Sequence, residues 1–307
     1  MQRAPCPELS PVVALLWAHD HPDVRGFDAH DHGHPEAAKL VQQNRGPGPA
    51  QVTEHVLPTG LAHLVFRTSA GPGATVFDSV DSSGGLQLPE AVIGGPRSRF
   101  YLKQSVAPAR SVGVLLRAGG VRALWGLPAH AVAGQHVALA DVWGEQGREL
   151  GEELLGMACP ARRLARLEAA LLEIWRCRAA AGGPSVMHPA VVRALRGLSD
   201  SARVEPWLQG LSHRHFIHLF RDAVGLTPKA FAQVQRVRAA LRDAVLPGAT
   251  LAQVAAARGY ADQSHFHREV RAVAGVSPSD FVRLSTDGGS HLRLPSHRSN
   301  LSKTRRR

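Results

Sequence analysis

The chain has 307 residues, 44% of them hydrophobic, and a formal net charge of +11. That length allows two domains, each large enough to bury its own core. No apolar run approaches the roughly 20 residues needed to cross a bilayer. Cys6, Cys159 and Cys177 are too few and too scattered for a disulfide framework or a four-cysteine zinc site, which fits a reducing cytoplasm.

Residues 1–50 are rich in Pro, Gly, His and Asp and lack sustained periodicity, so a mobile extension is expected there. The apolar run from Pro11 to Ala18 is followed by His, Asp and Pro, not by a small-residue cleavage site, and no signal peptide is read. His19, Asp20, His21, His30, Asp31, His32 and His34 are ordinary ligand types for zinc, copper or nickel. Nothing rigid holds them, so a solvated polar segment is expected in preference to a metal site.

Residues 51–181 read as an α+β domain for sensing or association. Short β-like runs at Leu61 to Arg67, Ala74 to Val80, Ser98 to Gln104 and Arg110 to Arg117 are broken by Gly and Pro. Helical patterns follow at Gly120 to Leu127, Asp141 to Gly156 and Ala161 to Ala180. The last carries Leu164, Leu167, Leu171, Ile174 and Arg178 at helical spacing, a stripe that either packs on its own domain or forms a dimer seam. No phosphate-loop, Gly-x-Ser-x-Gly or His-Glu-x-x-His signature is present, and no enzyme is expected. Cys159 and Cys177 are expected to be structural, and residues 182–187, with Gly182-Gly183-Pro184-Ser185, form a linker.

Residues 188–284 contain an internal echo at an offset of fifty residues. Val204, Phe216, Arg221, Gly225, Pro228 and Phe231 correspond to Val254, Phe266, Arg271, Gly275, Pro278 and Phe281. Each copy ends in a helix-stop glycine, a Thr or Ser cap, a proline suited to the first helical turn and an apolar residue three further on. Thr250 and Gln253 form a capping box, Gly259 closes that helix, and Asp262 or Ser264 caps the next. Phe266, Val270 and Val273 then face inward, as do Phe216, Leu219, Phe220 and Ala223 in the first unit, where Ser212 is the cap. Residues 1–184 hold 17 basic and 17 acidic side chains, whereas residues 185–307 hold 19 and 8. A basic excess gathered on a repeated helical module suits the neutralisation of phosphates on double-stranded DNA.

The set Ser212, Phe216, Phe220, Gly225, Pro228, Gly259, Tyr260, Phe266, Arg268, Gly275 and Pro278 resembles the DNA-binding module of AraC/XylS transcription regulators. The resemblance implies two homeodomain-like helix-turn-helix units joined by a long helix at about Pro228 to Ala244. Their recognition helices would enter successive major grooves roughly 34 Å apart. Carried over by position, base reading falls on Arg214, Ile217 and His218 in the first helix and on Gln263, Ser264, His265 and Arg268 in the second. Phosphate contacts fall on Ser212, Arg221 and Arg271. Pro206 fits only if the first positioning helix begins near Glu205. Val270 stands where the family usually has phenylalanine. Leu57-Pro58-Thr59-Gly60, Gly113 to Gly120 and Asp141-Val142-Trp143-Gly144 are similar to an uncharacterised domain that precedes some of these modules; no ligand site is read from it.

Residues 285–307 are expected to be a basic disordered tail. Beyond DNA, RNA polymerase, a small-molecule effector and a second copy of the chain are candidate partners, with no membrane and no cofactor. A metal-responsive or enzymatic N-terminal domain merely localised by the DNA module is the alternative. Because His213, His215, His218, His265 and His267 lie in the two recognition helices, DNA binding is expected to tighten as pH falls from about 8 to 6, through the reference histidine pKa. Flat affinity at fixed salt would remove that expectation.

Overall fold

A computed structural model describes residues 1–21, 51–71, 73–78, 84–106, 109–182, 187–198, 210–285 and 291–293. The N-terminal half is β-rich. Its strands are β1 (Gln2–Arg3), β2 (Val13–His21), β3 (Gln51–Val56), β4 (His63–Arg67), β5 (Thr75–Phe77), β6 (Leu86–Gln87), β7 (Ala91–Gly94), β8 (Tyr101–Val106), β9 (Ala109–Leu116) and β10 (His136–Ala138). They form two antiparallel sheets, ordered β1-β2-β9-β4-β7-β10 and β3-β8-β5-β6, the second extended beyond β3 by β11 (His291–Arg293). Along β4, Leu64 and Phe66 are buried while His63, Val65 and Arg67 are half-buried, the period-two pattern of a strand with one face on a core.

Three helices cover the first sheet: α1 (Gly120–Trp125), α2 (Ala140–Gly156) and α3 (Pro160–Ala180). Leu164, Leu167 and Leu171 of α3 are completely buried with Leu16, Leu64, Val114 and Leu116 of the sheet. The leucine stripe is therefore consumed inside its own domain, and the dimer-seam reading of it is set aside. Cys159 and Cys177, expected to be structural, are exposed at the start and near the end of α3.

Residues 1–50 are not uniformly a mobile extension. Residues 1–21 are part of the first sheet, with β2 lying between β1 and β9, and Leu9, Val12, Val13 and Leu16 fully buried. A register shift between Val13 and Leu15 breaks the alternation of the run, so its strand character is not written in a clean period of two. Residues 22–50, with His30, Asp31, His32 and His34, lie outside the described residues. The expected disordered tail is likewise interrupted, since β11 pairs with β3 from His291↔Val56 to Arg293↔Glu54.

The helical half comprises α4 (Pro189–Gly197), α5 (His213–Val224), α6 (Pro228–Ala244), α7 (Leu251–Ala257), α8 (Gln263–Ala274) and α9 (Pro278–Leu284). It holds two cores. One gathers Phe216, Phe220, Val224 and Phe231 against Ala190, Val191 and Ala194 of α4; the other gathers Val254, Tyr260, Phe266, Val270 and Phe281 against Val234, Val237 and Leu241 of α6. Val270, smaller than the usual phenylalanine, is fully buried. The expected positioning helix near Glu205 and Pro206 lies outside the described residues.

Candidate nucleic-acid interface

Both recognition helices are specified locally by the same punctuation. Ser212 precedes α5 and its hydroxyl accepts from the His215 amide at 3.2 Å; Asp262 precedes α8 and its carboxylate accepts from the His265 amide at 2.6 Å. Asp262, not Ser264, is thus the second cap, and Ser264 stays exposed in the first turn. Gly225 (φ 87°) and Gly275 (φ 74°) end the two helices in the left-handed region, their amides returning to the carbonyls of Arg221 and Arg271. Thr227 and Ser277 then cap α6 and α9 ahead of Pro228 and Pro278.

With the phenylalanines turned inward, Arg214, His218 and Arg221 are exposed on α5 and follow one another at spacings of four and three, so they share a face. Ile217 is half-buried beside them, suited to apolar contact and unable to hydrogen-bond. On α8, Ser264, Arg268 and Arg271 repeat the arrangement, and Gln263 is exposed in the first turn. Arg268 and Arg271 line a small cleft with His267 and Ser277, which brings two guanidinium groups and a helix cap to one place. His265 departs from the others. It is half-buried, its ring lies 5.3 Å from Tyr260 in an edge contact, and Nε2 is 3.7 Å from a Glu269 carboxylate oxygen.

Two acidic side chains escaped the sequence reading. Glu269 is buried under α8 and accepts from Arg236 Nε at 2.9 Å, from Arg236 Nη2 and from the Tyr260 hydroxyl at 3.2 Å. The Arg236 guanidinium also lies 4.9 Å from the Tyr260 ring centroid. Burial, followed by the Glu269 charge, pushes the Tyr260 phenol above its ordinary range and keeps it a donor. This network ties the second recognition helix to α6. Glu269→Gln should lower stability by about 1–3 kcal/mol by leaving the half-buried Arg236 without a counter-charge, read as a reduced urea midpoint. An unchanged midpoint would mean that the pair contributes nothing net.

Asp222, on α5, faces the N-terminal domain. One carboxylate oxygen is 3.5 Å from Arg122 Nη1, and the other is 3.0 Å from His130 Nδ1, off-axis for a hydrogen bond. His218 Nε2 lies 3.6 Å from the same carboxylate, so an expected base reader is neighbour to an interdomain ion cluster.

The N-terminal domain holds both units at equivalent points. Gly119 N donates to Ala223 O at 2.7 Å and Phe100 N donates to Val273 O at 2.9 Å, the two acceptors being fifty residues apart. Pro96 and the Ala129 carbonyl press on Gly225, and the Phe100 ring presses on Gly275. The β3–β4 connection spans both units: Leu57 joins the second helical core and Leu61 packs against the first. Between them the Thr59 carbonyl accepts from Gln235 at 2.9 Å and from Arg238 at 3.4 Å, both on α6. Gly60 (φ 74°) makes the turn, where a Cβ would lie only 3.1 Å from Gln235 Nε2 and 3.2 Å from the Phe231 ring, tighter than ordinary contact.

A family model described as a helix-turn-helix domain matches residues 209–284, and one described as a domain of unknown function, DUF6597, matches residues 1–138. The chain joins a DUF6597 domain to an AraC-type helix-turn-helix domain. Residues 209–284 are accordingly an AraC-type helix-turn-helix domain, the kind that serves DNA binding and transcription regulation. No curated protein matches it. Among solved structures it is similar to ToxT from Vibrio cholerae, at 9% identity and a TM-score of 0.44 over 78% of this chain and 99% of that one. Wild-type ToxT from Vibrio cholerae strain SCE256, bound to an unsaturated fatty acid, is similar at 12% identity and a TM-score of 0.41 over 78% and 92%. Among the described residues, no helix is long and apolar enough to cross a membrane.

Proposed function

We propose that this AraC-type protein binds specific DNA sequences by placing α5 and α8 in successive major grooves. The observation that carries the reading is the duplicated capped helix, phenylalanines inward and arginines outward, joined by the single helix α6. Arg214, Ile217, His218, Gln263, Ser264 and Arg268 then read bases, while Ser212, Arg221 and Arg271 hold phosphates. His265 takes a supporting part, since its ring is turned toward Tyr260 and Glu269. Residues 51–181, with the strands of residues 1–21 added to them, serve as the sensing or association domain, and residues 188–284 as the DNA-binding domain.

Binding-site selection from random duplexes, followed by footprinting, tests the reading. A protected site contacting two adjacent turns on one face is expected, with specific duplex competing far better than random DNA. Equal competition by random DNA would leave only phosphate attraction. Arg268→Ala should cost about 1–3 kcal/mol at one base-pair position of the selected site if its guanidinium makes a bidentate contact. A uniform loss on every sequence would reassign Arg268 to phosphate.

A further inference from the structure

A groove of about 560 Å³ opens between α1, α2 and α3, on elements that carry none of the DNA-facing residues. Its size falls within the range of small-molecule sites, roughly 300–1,000 Å³. Leu124 and Leu150, both buried, floor it, and Trp125 and Trp143 stand over them as an edge-to-face pair with centroids 6.1 Å apart. The Trp125 indole N–H is buried without a hydrogen-bond partner. Apolar side chains lining a groove that water can enter mark a surface that occupation would stabilise, while the indole N–H is a donor that only an acceptor could satisfy.

The rim supplies the sign of the occupant. Glu153 is neutralised by Arg166, whose Nε is 2.8 Å from both its carboxylate oxygens. Arg178 is directed to Gly126, at the carbonyl end of α1. Glu149 on α2 and Glu173 on α3 have no ion-pair partner among the described residues, and they flank the groove from opposite helices. Two unpaired carboxylates above indole faces favour a positive charge on an apolar body, because both the Coulomb attraction and the ring quadrupole act on a cation.

The floor also reaches the DNA-binding module. Helix α1 gives Leu124 and Trp125 to the groove and Arg122 to Asp222 of α5, and Gly119, which precedes it, donates to Ala223 of the same helix. We propose that the α1–α2–α3 groove is an effector site for a lipophilic organic cation, and that α1 transmits its occupancy to the first recognition helix. The coupling rests on the regulator reading given above; the binding site does not.

The probes are methyltriphenylphosphonium and triphenylphosphine oxide, similar in shape but cationic and neutral, the oxide alone carrying an oxygen able to accept from Trp125, so that a preference for the cation is seen against that advantage. Titrated into the full chain and followed by tryptophan fluorescence and calorimetry, the cation should bind about tenfold more tightly than the oxide. Glu149→Gln with Glu173→Gln should remove most of that preference while leaving the oxide unchanged, and Trp143→Ala should weaken both probes. Equal affinity for the two, a preference that survives the double glutamine variant, or no binding would overturn the site. Saturating cation should change affinity for the selected duplex at least about threefold, a coupling of about 0.7 kcal/mol or more. Unchanged affinity with the cation bound would overturn the transmission. A chain that binds the cation but no duplex would instead defeat the regulator reading and leave the groove standing.

Discussion

Gly275→Ala is expected to lower the stability of the folded chain by about 2–4 kcal/mol, combining left-handed strain with overpacking. A Cβ there would stand 2.3 Å from Phe100 Cε1 on a backbone at φ 74°. Gly259→Ala separates the two causes, because Gly259 has nearly the same φ, 70°, and nothing within 4 Å of its missing Cβ. It should show only the backbone part, of order 1 kcal/mol. Phe100→Ala combined with Gly275→Ala should be less destabilised than the two single changes added together, by about 1–2 kcal/mol, since removing the ring removes the clash. Strict additivity in urea midpoints would show that the ring and the helix end do not meet.

The same variant has a functional reading. Gly225 and Gly275 occupy equivalent places in the two units, and the N-terminal domain is packed on both. A domain that grips the two helix ends and also bonds to α6 through Thr59 constrains how far one recognition helix can move relative to the other. Gly275→Ala should therefore alter affinity for a two-groove site more than for a half-site, measured on the same preparation. Equal changes on both duplexes would mean that the grip does not set the spacing of the readers.

The helical half was legible because its signals are local. Ser212, Thr227, Thr250 and Ser277 cap the helices expected of them, and Gly225 and Gly275 stop α5 and α8 where the repeat places them. Strand β2 was less legible, since a strand held between β1 and β9 owes its state to partners far along the chain, and a bulge scrambles its alternation. The roles of Asp222 and Glu269 could not be read from spacing. On a helical wheel they are two more polar residues beside the readers, and only the approach of Arg122 to one and of Arg236 to the other distinguishes them. Leu57-Pro58-Thr59-Gly60 stood out as a motif, but its work as a link between both helical units depends entirely on tertiary docking.

Acid should loosen this docking before it unfolds isolated helices. His55 is fully buried and stacked on Phe100, with ring centroids 4.3 Å apart, and burial holds its imidazole down at about 4 against a smaller opposing effect of the Ala274 backbone. His136 is held at about 4 by burial and then by Arg97, with Asp78 opposing; its Nδ1 accepts from Arg97 Nη2 at 3.3 Å, which requires the neutral ring. Both folded-state values lie below the unfolded value near 6.5, so above that pH neither state is protonated and neither group affects stability. As pH falls from 6.5 to 4 the unfolded chain takes up protons that the folded chain refuses, and stability is lost by at most about 3 kcal/mol for each ring. The urea midpoint should thus be level from pH 8 to 7 and fall steeply from 6.5 toward 4. His55→Leu removes two buried ring nitrogens without aligned partners and should leave the midpoint at pH 8 nearly unchanged while making the fall about half as steep. Because His55 lies at the contact with Phe100 and α8, the same variant should keep the N-terminal domain docked at pH 5, seen as slower proteolysis between residues 182 and 187 than in the parent chain. Identical pH profiles for the two proteins would place the acid response elsewhere in the fold.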